Sequence, residues 1–121
     1  MVVGRAFLQA LVPLCLGGVA IPAAASDMEL LGRAMNEKPF TIAVDMSVKL
    51  ASCKLSARER SQTDIIRRAA LDVAAERLKV SLGKVRSLAS DFAAETAQLQ
   101  VKEGTAEASC AYHRAWLLGR T

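Results

Sequence analysis

An uncharged run from Ala6 to Ala25, preceded by Arg5 and closed by Ala23-Ala24-Ala25, limits what this chain can fold into. A basic start, an apolar middle and a small-residue end are the order of a secretory signal peptide with an A-x-A-like cleavage site. The sequence therefore predicts a leader over residues 1–25 and a single small domain over residues 26–121. Pro13, Gly17, Gly18 and Pro22 interrupt the run, whereas a spanning helix needs about 20 predominantly apolar residues. Cleavage is thus expected rather than a retained anchor, with no transmembrane segment left afterwards and a periplasmic or secreted location. Cys15 lies inside the run, behind Leu14 rather than a small residue, and leaves with the leader.

Cleavage leaves a domain short of large apolar side chains. Its aromatic residues are Phe40, Phe92, Tyr112 and Trp116, and the formal net charge of +4 falls by one with Arg5. Domains of this size are marginal on burial alone and gain from a covalent link or from oligomerisation. Two cysteines remain, Cys53 and Cys110. An even count in an oxidising compartment favours a disulfide, and closing so long a loop stabilises by about 3–4 kcal/mol in the chain-entropy model. Two unpaired buried thiols are the alternative. One histidine and two distant cysteines lack the spacing of a zinc centre, and no cofactor motif is present.

Asp27 opens a short helix expected to reach Asn36, after which Pro39 favours an extended approach. From Phe40 the pattern alternates: Phe40, Ile42, Val44, Met46, Val48 and Leu50 are apolar, with Thr41, Asp45, Ser47 and Lys49 between them. That alternation predicts a half-buried strand. Ser56 to Thr63 reads as a connector or as frayed first turns, with Ser61 and Asp64 in a capping-box pattern. Ile65, Ile66, Ala69, Ala70, Val73, Ala74 and Leu78 then recur at helical spacing, with charged residues opposite. Ser81 and Gly83 break that helix, and Lys84 to Ala89 predicts a short strand. Lys102-Glu103-Gly104 predicts a turn. In Thr105 to Leu118 the residues Ala106, Ala108, Cys110, Tyr112, Trp116 and Leu118 share one parity, which predicts a long closing strand.

The expected fold class is α+β, a two-layer strand-helix-strand-strand arrangement with a mainly antiparallel sheet and one long amphipathic helix, preceded by a short N-terminal helix. Such a sheet leaves one face and its edges uncovered, so a homo-oligomer or an envelope protein partner is expected to cover them.

The segments Ala74-Ala75-Glu76-Arg77-Leu78 and Lys79-Val80-Ser81-Leu82-Gly83-Lys84-Val85, with the run from Gly104 to Trp116-Leu117-Leu118, resemble the C-terminal half of SIMPL-domain proteins. The resemblance covers roughly Phe40 to Leu118. Lys79 stands where that family has a glycine, Cys53 and Cys110 are not part of its pattern, and its N-terminal half has no room here. The resemblance implies an exported, non-enzymatic envelope protein, often linked to stress tolerance and prone to assemble into rings or larger oligomers, and it carries over no catalytic residues.

Candidate chemistry is sparse. His113 lacks the Ser, Cys or Asp spacing of a nucleophilic constellation. Gly83-Lys84 lacks the earlier glycine and following Ser or Thr of a phosphate loop. The cations Arg58, Arg60, Arg67, Arg68, Lys79, Lys84 and Arg86 are too few against the acids to argue for nucleic acid, and export argues against it as well. Tyr112 and Trp116 read as core or interface anchors. The functional expectation is an exported, non-enzymatic envelope protein that acts by self-association or by binding another envelope component. The alternatives are a small-ligand-binding oligomer and a disulfide-stapled helical periplasmic chaperone.

Overall fold

The structure is a computed structural model that describes residues 23–120, and the leader lies outside them apart from its last three residues. Five helices make up the described chain: α1 Ala23–Ala34, α2 Lys38–Ser52, α3 Ala57–Leu78, α4 Leu82–Glu103 and α5 Ala106–Leu118. The chain divides into two compact units between Leu30 and Leu31. Of the first, the described part is the opening of α1, which begins at Ala23 and so runs through the junction where cleavage is expected. The second unit holds the end of α1 and all of α2 to α5.

No strand occurs among the described residues, which corrects the α+β expectation and removes its antiparallel sheet. The strand expected over Phe40–Leu50 is α2. Its alternation arises because this helix is enclosed on most sides: Phe40, Ala43, Val44, Met46, Val48 and Lys49 are all buried. A helix covered nearly all round loses the one-sided stripe that identifies a surface helix. Asp45 and Lys49 interrupt the apolar face that a helix would need, yet at i,i+4 they form an ion pair with Nζ–Oδ1 of 2.5 Å. Pro39 sits in the first turn, where its missing N–H has no partner to lose.

The helix expected over Ile65–Leu78 starts earlier, at Ala57. Its cap is not Ser61 with Asp64 but Ser56 with Glu59: the Glu59 N–H donates to Ser56 Oγ at 3.1 Å, and the Ser56 N–H donates to Glu59 Oε1 at 2.9 Å. Lys79 ends the helix in the left-handed region at φ 58°, and the Val80 N–H closes back on the Ala75 carbonyl at 3.2 Å. The Arg33 guanidinium donates to the Leu78 carbonyl at 2.9 Å, a cation at the negative end of the helix.

The short strand expected over Lys84–Ala89 belongs to α4, which Ser81 caps through the Lys84 N–H at 3.1 Å. Its buried residues Val85, Ala89 and Ala93 recur every four positions, a stripe made inconspicuous by alanine. The turn expected over Lys102-Glu103-Gly104 narrows to Gly104, at φ 76°, because Lys102 and Glu103 still belong to α4. The closing strand is α5. The parity that suggested it does not sort inside from outside, because Tyr112 and Leu118 are exposed while His113 and Leu117 are buried.

α2 is the centre of the unit and touches α3, α4 and α5. Phe40, Val48, Leu71 and Val85 are fully enclosed, and Ala43, Ala74 and Ala89 are small enough to bring helix axes close. Burying a side chain such as Phe40 stabilises by about 1.5–3 kcal/mol. Cys53, just after α2, and Cys110 in α5 lie at bonding distance, Sγ–Sγ 2.08 Å with Cα atoms 5.5 Å apart. This link fixes the last helix on the central one.

Candidate functional site

Among the described residues three polar side chains are buried: Lys49, Thr63 and His113. They come from α2, α3 and α5, and two of them line a cavity of about 500 Å³. A buried polar group needs a partner or a function, since leaving one unpaired costs about 1–3 kcal/mol.

Thr63 and His113 satisfy each other in a defined order. Thr63 Oγ1 donates to the Glu59 carbonyl at 2.7 Å. Its hydrogen is thereby used, so at 2.9 Å it accepts from His113 Nε2, and the neutral ring carries its proton on Nε2. Nδ1 is left as a lone pair without a hydrogen-bond partner among the described residues. Burial pushes the His113 pKa below its usual 6.5, and the Lys49 and Arg114 charges push the same way against Asp45 and Glu59. The ring is therefore neutral at pH 7.

Lys49 has a different balance. Its side chain is 5 % exposed, while that of its partner Asp45 is 53 % exposed. The carboxylate thus stands at the cavity's edge and the ammonium beneath it. Asp45 takes one of three N–H donors, and the others have no hydrogen-bond partner among the described residues.

The aromatic residues close the other side. Trp116 stacks on His113 with ring centroids 5.8 Å apart, and the Arg120 guanidinium lies 4.5 Å above the Trp116 ring. Tyr112 lines the same cavity and is 74 % exposed. Neither Tyr112 nor Trp116 is a core anchor; both are wall. Cys110 lies one turn before His113, so its link to Cys53 holds this wall in place. The Arg114 side chain, donating to the Lys54 carbonyl at 3.4 Å, adds a second tie beside it.

The cavity does not end at α2. Ile42 and Ile66 line it and also line an adjoining open groove of about 380 Å³, whose floor continues over Ile65, Ala69 and Val73 with Pro39 at its side. The groove is apolar throughout, with Ile65 and Val73 among the exposed large hydrophobic residues.

The other residues of interest lie apart from this site. Arg67 and Arg68 both hold Asp64, at 2.6 and 2.9 Å, and the hydrogen bond from Arg67 leads in lowering that carboxyl's pKa, with both charges adding to it. Arg60 is spent on the Leu50 carbonyl at 3.1 Å. Gly83 and Lys84 are in the first turn of α4. Among the described residues no three His, Cys, Asp or Glu side chains are gathered as for a metal ion. No helix among them is long and apolar enough to cross a membrane. The arrangement defines a small helical protein with a cysteine link beside a cavity lined by Ile42, Met46 and Ile66 and by three cations, Lys38, Lys49 and Arg120, against one acid, Asp45. No protein-family model, no characterised protein and no solved structure matches the chain.

Proposed function

We propose that this is an exported, non-enzymatic binding protein of the cell envelope, and that it holds a small ligand in the cavity between α2, α3 and α5. The observation that carries the reading is the continuity of that cavity with the apolar groove through Ile42 and Ile66. A cleft of a few hundred Å³ with an apolar lining and a few convergent polar groups is the usual form of a small-molecule site. Export is supported by the leader pattern of residues 1–25 and by a cysteine pair placed for a disulfide, which persists in oxidising compartments. A binding rather than catalytic role is supported by the groups themselves. The Thr63 hydroxyl is spent on a backbone carbonyl, both cysteines are linked, and His113 Nε2 is held by Thr63. Self-association over an open sheet face loses its reason with the sheet.

The test is saturable uptake of a neutral apolar dye, N-phenyl-1-naphthylamine, followed by energy transfer from Trp116. One dye per chain is expected, with uptake lost in Ile66→Asp. Dye uptake that never saturates, or that Ile66→Asp leaves unchanged, would sink the reading.

A further inference from the structure

We propose that the ligand of this site is a medium-chain carboxylate, its head beside Lys49 and His113 and its chain along the Ile42, Ile66 and Val73 groove. The inference rests on the binding reading above and adds to it the chemistry of the occupant.

Charge is the first argument. Lys38, Lys49 and Arg120 line the cavity against a single acid, Asp45. The lining is therefore complementary to an anion even after the Asp45–Lys49 pair is counted. Unused hydrogen-bonding capacity is the second. Lys49, nine-tenths enclosed, directs two N–H groups to no protein partner among the described residues, and His113 at 3 % exposure keeps Nδ1 unpaired. Two carboxylate oxygens match what is on offer: donors from the ammonium, and a ring nitrogen that donates once a proton has moved to it. An alkyl carboxylic acid is ionised at pH 7, so that proton is taken up from solvent as the carboxylate binds beside the imidazole. A dianion fits less well, because the Asp45 carboxylate stands at the edge and repels a second charge.

Shape is the third argument. From Ile65 to Val73 the α3 face runs about 12 Å at 1.5 Å per residue, which suits a medium-length alkyl chain. Ile42 and Pro39 form the facing side. An alkyl chain laid there leaves its polar end where the floor passes into the cationic cavity.

The experiment compares decanoate, decanol and decyltrimethylammonium on the oxidised full domain, by calorimetry and by the fluorescence of Trp116, the one tryptophan. Decanoate is expected to bind about tenfold more tightly than decanol, the equivalent of one charge-assisted hydrogen bond. Decyltrimethylammonium is expected to bind more weakly than either. Lys49→Met should bring decanoate to the level of decanol. Arg120→Met, on the exposed rim where folding is not at stake, should reduce the decanoate advantage by a smaller factor. Equal affinity for all three compounds overturns the carboxylate assignment and leaves a binding protein. So does a decanoate advantage that survives both substitutions. If none of the three binds, the binding reading falls with it.

Discussion

The link between Cys53 and Cys110 contributes a stability term that can be worked from the length of the loop it closes. The two residues are 57 positions apart in sequence. In the chain-entropy model a loop of that length removes about 14 cal/mol/K from the unfolded ensemble, or about 4 kcal/mol at room temperature. A domain of this size has a total stability of about 5–15 kcal/mol, so the link is a large share of it. The perturbation is Cys53→Ala with Cys110→Ala, measured by urea unfolding under far-ultraviolet circular dichroism. At about 1–3 kcal/mol/M in urea, the midpoint should fall by roughly 1.5–4 M. Both sulfurs are buried, so alanine also removes some packing. Reduced wild-type protein separates the two contributions: oxidised against reduced reports the cross-link, and reduced against the double variant reports the side chains. A difference between oxidised and reduced protein below about 1 kcal/mol would refute the reasoning, because it would leave the loop-entropy gain cancelled by strain in the native state or by structure retained in the reduced unfolded chain.

Other expectations come from particular side chains. Phe40→Ala removes the largest fully enclosed side chain and should cost about 3–5 kcal/mol in urea unfolding. Lys79→Gly should raise stability by about 0.5–1 kcal/mol in the same assay, since Lys79 holds φ 58° against the steric preference of an L-residue; a loss would contradict that conformation. His113 gives a pH dependence whose sign is fixed. Its folded pKa lies below the unfolded 6.5, so the unfolded chain binds more protons in the interval between the two values. Stability is full above 6.5 and declines as pH falls through the folded value, and His113→Gln should flatten that decline. Lys49, Asp45, Glu59 and Arg114 remain in both proteins, which cancels their share. Asp64 acts in a separate window, because its lowered pKa adds stability that is lost only below 3.8.

What the sequence made legible depended on how each helix is covered. α3 was legible from the helical spacing of its apolar residues between Ile65 and Leu78, although that spacing did not sort inside from outside: Leu71, Ala74 and Leu78 are buried while Ile65 and Val73 are exposed. α2 was not, because the bundle surrounds it. With Phe40, Val44 and Val48 on one side and Met46 and Lys49 on the other, any short window of it reads as alternation. The i,i+4 spacing of Asp45 and Lys49, with Pro39 at the start, was the local signal for a helix there. In α4 the inward stripe is mostly alanine, which hydrophobic pattern-reading undercounts. α5 combined few apolar residues with a misleading parity. The cysteines were legible from their number and the leader. Tyr112 and Trp116 stood out as aromatic residues, but their neighbours Lys49, His113 and Arg120 meet only through packing of α2 against α5. Lys49, between apolar residues of α2, was a further trace of the site that the alternating pattern hid.

That lysine is also the strongest reason to regard the cavity as more than a packing defect. Enclosing an ammonium is expensive, and exchanging a buried ion pair for apolar residues of similar volume is often neutral or stabilising by about 1–4 kcal/mol. Lys49 is not a well-compensated buried pair, because Asp45 stays half in water and takes one donor of three. His113 adds to the expense: a neutral imidazole spends one nitrogen on Thr63 and keeps the other unpaired. In a bundle whose core relies on alanine and a few larger side chains, methionine at 49 and leucine at 113 would fold more favourably. Both polar groups line the cavity that shares Ile42 and Ile66 with the apolar groove. The cysteine link then has two consequences. It offsets the weak core, and it fixes the helix that carries His113 and Trp116 against the helix that carries Lys49. Oxidation is therefore a condition of the binding geometry as well as of stability, and the reduced protein should lose ligand affinity at urea concentrations that leave its helices intact.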